Sequence, residues 1–538
     1  MNRLTTPDWL AVGLTVIAGA LAVAFVRYDG LGSFADDGVS YMVMARYLAP
    51  YLSHVPAIDA AFLDQPYPPL FPLLLVATGG AADYVRAHVV VAACFVAAAL
   101  LIYAWAKQTL NSGWYALAAL ALFAASPGAW INMLGILSEN LYLALSLAVL
   151  GYYGSRFNEP HPRPGQAVLL GVLLGLTILT RTVGVSLLAA YVVSTVLRRG
   201  RRAPVRWLPV VVAVLPVAAW YFWRPAAGPY AYTLDLLHLA TTVFGGNDAA
   251  GGLGGWIAPQ LTLLPQVWLT ALMIYWRENT DPAVLIAAAW GLLALYGLFS
   301  RLERNRMDAW YVLFHLLILL VWPYPGQFNR FVYGLLPLLL VYGIATLFDI
   351  ERVIGTTVRR HLIPATALAA ALAIVLPTAT FLAGRAGYRT KIPGMDFTRV
   401  ADFYRKPDLA LAERLALRHE ALRQDMDRIR DSTEPDAVVM WYKPDYLALL
   451  AGRRSVAYPA ARDASALYRE IARAAPDYLF LSRLHPRDTR ESTDGLAPLA
   501  LLDAIGRPVW LNRGPDGKEL LSVLLRVDRP ALSGIVNR

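Results

Sequence analysis

Two adjacent carboxylates are the first residues in this chain suited to chemistry. Asp36 and Asp37 stand in Phe34-Ala35-Asp36-Asp37-Gly38-Val39-Ser40-Tyr41, just after an apolar stretch from Trp9 to Val26. A proline-aromatic segment follows, Tyr67-Pro68-Pro69-Leu70-Phe71-Pro72-Leu73-Leu74-Leu75. A carboxylate held at a membrane surface and partly desolvated can act as a general base. Two neighbours repel, which raises at least one pKa and keeps a proton acceptor useful near neutral pH. The same position suits a helix N-cap, because Val39 to Leu48 reads as a helix start. One Asp can cap while the other serves as base.

Three further ionisable residues interrupt apolar sequence at the same predicted depth. Glu139, in Leu137-Ser138-Glu139-Asn140, falls at the outer end of a predicted span. A charge inside a membrane segment costs about 2.5–3.5 kcal/mol on insertion scales and is by default a functional candidate. An acid in a first helical turn also complements the helix dipole. Arg181, in Leu179-Thr180-Arg181-Thr182, and Arg330, in Gly326-Gln327-Phe328-Asn329-Arg330-Phe331, lie at outer ends of spans. Two such cations can take a phosphate by bidentate contacts. For either alone, snorkelling to lipid headgroups is the plainer reading. His54, Asp59 and Asp64 share the connection that holds the Asp pair. The chain has eight histidines and no His/Cys ligand spacing, so no structural zinc site is indicated. A divalent ion shared by carboxylates stays open. No P-loop, dinucleotide fingerprint or nucleophile motif occurs in a suitable context.

The elements that must position these residues are apolar. The 538 residues are 57% hydrophobic and 16% charged, against about 25% charged in soluble domains. A polytopic membrane protein is expected. Candidate spans fall near 9–27, 84–106, 114–131, 138–154, 166–180, 184–198, 205–222, 283–299, 309–323, 329–348 and 362–383. With these eleven spans and an inside N-terminus, the arginines of 156–163, 198–206, 301–306 and 352–360 fall inside, which is the positive-inside bias. The net charge of +10 is therefore a topology signal and not a nucleic-acid footprint. Residues 261–276, counted as a span, would put Arg301, Arg304 and Arg306 outside. They read instead as an interfacial or re-entrant helix, with Trp268, Tyr275 and Trp276 at headgroup level. Two connections, 28–83 and 223–282, are expected outside, and the glycine-rich run near 245–255 in the second suits a mobile cover or a plain linker. Cys94 is the single cysteine, so no intramolecular disulfide forms. The start of the chain reads as a signal anchor. The transmembrane domain is expected over 1–383. Residues 384–538 are rich in charge, contain no span and alternate short apolar runs with helical stretches, an external α/β domain.

These motifs together resemble the glycosyltransferase C superfamily, and more narrowly bacterial members related to protein O-mannosyltransferases and lipid A aminoarabinose transferases. The resembling residues are Asp36-Asp37 with Tyr41 and Ala45, the Tyr67-Pro68-Pro69 segment, Ser138-Glu139-Asn140, Thr180-Arg181, and Arg330 followed by Pro337. The resemblance implies a polyprenyl-phosphate sugar donor, transfer of a hexosyl or pentosyl group to a glycan, lipid or protein acceptor, and inversion at the anomeric carbon. It implies an acidic base four residues before the tyrosine, which selects Asp37 ahead of Asp36. Gly38 stands where many members carry a second acid. Glu139, Arg181, Arg330, Tyr67, Asn329 and Tyr41 are the expected substrate-binding residues. No cofactor is implied and no nucleic acid is a partner. The expected place is a bacterial cytoplasmic (inner) membrane, with the active site and C-terminal domain on the outer face. The competing readings are a transporter or flippase of lipid-linked saccharide and a scaffold with an external binding domain. A transporter would be expected to show inverted repeats and helices broken at midplane; no repeat stands out.

Overall fold

The computed structural model describes residues 4–27, 30–31, 36–63, 67–157, 162–198, 203–223, 252–273, 281–322, 328–353, 379, 409–459, 463–485, 496, 498–514 and 517–537. Outside them lie all of the expected span at 362–383 except residue 379, Asp64, Tyr275, Trp276 and most of the glycine-rich run. The chain divides into two compact units. One comprises Met1–Arg27, Pro68–Phe71 and His88–Pro393; the other comprises Tyr28–Tyr67, Pro72–Ala87 and Gly394–Arg538.

The first unit is built of apolar helices. Thr6–Val26, Tyr84–Leu110 and Pro204–Trp223 are each long and apolar enough to cross a membrane. Gly113–Ala125, Pro164–Thr180, Thr182–Val196, Met307–Val321 and Leu336–Ile350 are shorter apolar helices. The expected span at 114–131 is two helices, Gly113–Ala125 and Pro127–Met133, because Pro127 cannot continue the first and instead starts the second. The expected 329–348 is likewise split, into Phe328–Tyr333 and Leu336–Val353.

Glycines set how closely these helices approach. A Cβ on Gly171 would stand 2.6 Å from Val212, and one on Gly343 would stand 2.6 Å from the Trp290 indole. Small residues at such crossings let helix backbones pack without a strong hydrophobic drive between them.

Four of the predicted inside arginines, Arg198, Arg301, Arg304 and Arg306, meet at one end of this unit. Lys107 Nζ lies 2.6 Å from Asp8 Oδ1, joining the start of Thr6–Val26 to the end of Tyr84–Leu110. Arg301 makes a bidentate pair with Asp308, at 2.6 and 3.0 Å. Asn305 Nδ2 donates to the Ser194 carbonyl at 3.1 Å. Helix Glu139–Tyr152 runs from the opposite end to this one, a rise of about 21 Å. Helix Gly252–Met273 replaces the expected 261–276 and is longer. Its Leu263 and Leu264 pack near Leu319 and Phe328, and Trp268 Nε1 donates to Ala287 O at 3.0 Å. These contacts lie in the half of the unit that holds Glu139.

The second unit carries a five-stranded sheet, ordered β2-β1-β3-β5-β4. The strands are β1 (Val438–Trp441), β2 (Arg454–Ala457), β3 (Tyr478–Ser482), β4 (Gly506–Arg513) and β5 (Leu520–Val527). β1 pairs parallel with β2 and β3, whereas β5 pairs antiparallel with β3 and β4. Parallel neighbours need crossover helices, supplied by Pro444–Ala451 and Ala464–Ala474. β3 is buried on both faces, as a central strand should be, whereas β4 is largely exposed. Helix Ala464–Ala474 is capped by Asp463, which accepts from Ala466 N at 2.7 Å.

Asp425, on helix Leu409–Ser432, is fully buried behind this sheet. Burial pushes its carboxyl up to about 6, against the opposing pull of hydrogen bonds from Ser522 and Asn512 and the nearby Arg428. A folded pKa above the unfolded value favours the protonated, folded state. That stability is complete below the ordinary Asp value of about 3.9 and is lost as pH rises through 6. Unfolding of this unit, followed by hydrogen exchange of β5 in the intact protein, is expected to become easier by up to about 3 kcal/mol between pH 4 and pH 7. Asp425→Asn should flatten that dependence.

Candidate functional site

In the first unit, Glu139 begins helix Glu139–Tyr152, Arg181 follows the last residue of Pro164–Thr180, and Arg330 lies in Phe328–Tyr333. Separate stretches of chain thus bring three charged residues to one point. Arg181 Nη1 lies 2.9 Å from Glu139 Oε1, and Arg330 Nε donates to the same oxygen at 2.5 Å. Arg330 Nη2 also contacts it. The Glu139 side chain is 2% exposed, and those of Arg181 and Arg330 are 11% and 13%. Both guanidiniums are therefore held against a buried carboxylate. Guanidiniums gathered in this way are groups that take a phosphate through charge-assisted hydrogen bonds.

The neighbours fix the geometry. Arg181 Nη1 donates to Ser138 Oγ at 3.3 Å, and its guanidinium lies 5.0 Å from the Phe331 ring centroid. Asn140 donates to the Asn132 carbonyl at 3.2 Å and accepts from the Tyr333 hydroxyl at 2.6 Å. Tyr142 and Tyr311 share a hydroxyl hydrogen bond of 3.0 Å. Sequence reading did not find Asn132, Tyr311 or Tyr333, whose residue types are ordinary in a buried helical core. The side chain of Asn329 lies outside the described residues.

In the second unit, Asp37 is in the first turn of helix Asp36–Leu48. Both acids therefore fall inside the helix start, where the dipole favours negative charge. The Tyr67 hydroxyl donates to Asp37 Oδ1 at 2.7 Å. The Tyr41 and Tyr67 rings stand 5.1 Å apart at 60°. Tyr67, immediately before Pro68-Pro69, thus orients the carboxylate, and Tyr41, one helical turn on, supports Tyr67. The side chain of Asp36 lies outside the described residues. The helix is tied to the C-terminal domain by Ser40 Oγ, which donates to Asp445 Oδ2 at 2.9 Å. Nothing local in the sequence signals that bond across 405 residues. His54 pairs with Asp59 at 2.8 Å on an exposed surface. Among the described residues no group of three or more His, Cys, Asp or Glu could hold a metal ion.

No family model and no curated protein matches the sequence. Solved structures match it along its length. ArnT from Cupriavidus metallidurans in the apo state aligns with TM-score 0.53, covering 97% of this chain and 98% of that one at 12% identity. ArnT bound to undecaprenyl phosphate aligns with TM-score 0.51 at the same coverage and identity. The chain has the fold of ArnT. The Archaeoglobus fulgidus oligosaccharyltransferase, tethered with an acceptor peptide, aligns at TM-score 0.49 and 13% identity over 95% of this chain and 74% of that one.

Proposed function

We propose that the chain is an integral-membrane glycosyltransferase that moves a sugar from a polyprenyl-phosphate donor to an acceptor hydroxyl. The observation that carries this reading is the buried Arg181–Glu139–Arg330 cluster, which gathers two guanidiniums at one point. A polyprenyl-phosphate sugar keeps its phosphate at headgroup level, and the undecaprenyl phosphate bound by ArnT is of this class.

The reaction breaks the bond from the anomeric carbon to the phosphate oxygen, which leaves with the electron pair. Arg181 and Arg330 stabilise the charge that develops on that phosphate. The acceptor oxygen forms the new bond to the anomeric carbon from the opposite face, so configuration inverts. Its proton passes to Asp37, with Asp36 as the second acid. Glu139 holds the two guanidiniums apart and aimed, and Tyr67 holds Asp37. Tyr41 and Asn329 complete the substrate contacts. Helix Gly252–Met273 is interfacial in this reading, and the arginine-rich end of the first unit faces the cytoplasm.

Binding of undecaprenyl phosphate to the detergent-solubilised protein tests the donor class. Undecaprenyl phosphate should bind, undecaprenol should not compete, and Arg330→Ala should weaken binding by at least about tenfold, as expected for a lost charge-assisted contact. Equal binding of the alcohol and the phosphate would overturn the reading. Tyr67→Phe removes only the hydrogen bond to Asp37. It is expected to lower kcat by about 5- to 10-fold with KM for donor unchanged, in keeping with the net worth of one hydrogen bond. A steady-state comparison of the two enzymes checks this.

A further inference from the structure

The arginine-rich end of the first unit holds a polar cavity of about 270 Å³. Its lining includes Arg198, Arg301, Arg304, Arg306, Asn305 and Asp308. Among the described residues Asp308 is the one carboxylate in the lining. It is already engaged by the bidentate Arg301 and by the Tyr342 hydroxyl at 2.8 Å. Among the described residues the lining thus gathers four arginines around that one carboxylate.

The arginines are mounted on a built frame. Asn305 adopts a left-handed conformation with φ 51° and closes the turn between helices Asp281–Glu303 and Met307–Val321. Its amide donates to Ser194 O at 3.1 Å and accepts from Trp310 Nε1 at 2.9 Å. The backbone N–H of Arg306 donates to Arg301 O at 3.0 Å. Arg304 and Arg306 thus flank a pinned residue. Arg198 enters from another helix end, its guanidinium 5.8 Å from the Tyr153 ring centroid. Tyr153 is itself fixed by a 3.0 Å bond to Ser194 Oγ. Basic pockets between helices at a membrane surface bind phosphate-bearing headgroups.

We infer that this cavity binds a phosphate mono- or diester, with Arg198, Arg304 and Arg306 as its ligands, separately from the donor cluster at Glu139. The source of the phosphate is an anionic phospholipid headgroup or phosphate in solution. Only the headgroup source rests on the membrane reading.

The test titrates delipidated full-length protein with phosphatidylglycerol or phosphatidylcholine and counts bound lipid by native mass spectrometry. Phosphatidylglycerol should be retained in preference. The Arg304→Gln/Arg306→Gln pair should lose that preference by about 30-fold, whereas Arg163→Gln, at an exposed residue of the same end, should keep it. Displacement of the lipid by millimolar inorganic phosphate identifies a site that also takes phosphate from solution; resistance to displacement identifies the headgroup as source. In the wild-type protein, either phosphatidylglycerol or inorganic phosphate should protect Arg304 and Arg306, but not Arg163, from phenylglyoxal. That footprint decides the matter even if the double variant fails to fold. No lipid preference together with no protection by either probe overturns the site, as does equal loss of preference in Arg163→Gln. Undecaprenyl phosphate binding at the Glu139 cluster is unaffected by either result.

Discussion

Asp37→Asn is expected to lower sugar transfer by about 10²- to 10⁴-fold, the usual contribution of a positioned general base. The amide keeps the size of the carboxylate and can still accept from the Tyr67 hydroxyl, now 2.7 Å from Asp37 Oδ1. Folding should therefore be preserved. What is lost is the capacity to take the acceptor proton. In the proposed reaction Asp37 acts only on the acceptor side, so affinity for undecaprenyl phosphate should stay within about twofold, a change of less than about 0.5 kcal/mol. Initial rates and donor-binding isotherms on the same preparation measure both quantities. Full activity in Asp37→Asn would remove the assignment of the base. Activity lost in Asp36→Asn and retained in Asp37→Asn would transfer the role to its neighbour.

The second large effect concerns Glu139. Glu139→Gln leaves the Arg181 and Arg330 guanidiniums, 11% and 13% exposed, without their shared counter-charge. Breaking a buried ion pair by removing one partner costs about 3–5 kcal/mol, because the remaining charge is left uncompensated. A phosphate can supply the missing negative charge. Thermal unfolding of Glu139→Gln should therefore shift down sharply without ligand, and undecaprenyl phosphate should restore more stability to this variant than to the wild type. Binding linkage sets the size of that restoration. An equal ligand-induced shift in both proteins would mean that the arginines do not meet the phosphate.

The sequence showed the elements more clearly than their partners. Hydropathy marks where helices run, because a membrane-length apolar stretch has few alternatives. Two expected spans were nevertheless broken, at Pro127 and between Tyr333 and Leu336, by local chemistry that a sliding average conceals. In the C-terminal domain the apolar runs at 437–441, 478–481, 508–511 and 520–527 fall on the strands β1, β3, β4 and β5. β2, with sequence Arg-Ser-Val-Ala, escaped notice. Four residues with one charge carry too little pattern to stand out.

The site was legible as residue types at unusual places. Glu139, Arg181 and Arg330 each stood out by interrupting apolar sequence, and the structure joins them through one carboxylate oxygen. That join spans 191 residues between Glu139 and Arg330, and spacing alone carries no information over such a distance. The Ser40–Asp445 bond was hidden for the same reason. So was the packing of the first connection with the C-terminal domain: helix Asp36–Leu48 and helix Pro56–Leu63 both contact helix Pro444–Ala451. The resemblance selected Asp37 by its distance from Tyr41, whereas its contact with Tyr67 is a feature of the folded chain.

Lipid extracts of the native host test the account most directly. A strain whose own copy carries Asp37→Asn should accumulate a polyprenyl-phosphate-linked sugar, visible by mass spectrometry, because the donor is made and not consumed. Expression of the wild-type chain should clear it. Extracts identical in the wild-type and Asp37→Asn strains, with the variant protein present in the membrane at normal abundance, would contradict a transferase that draws on such a donor.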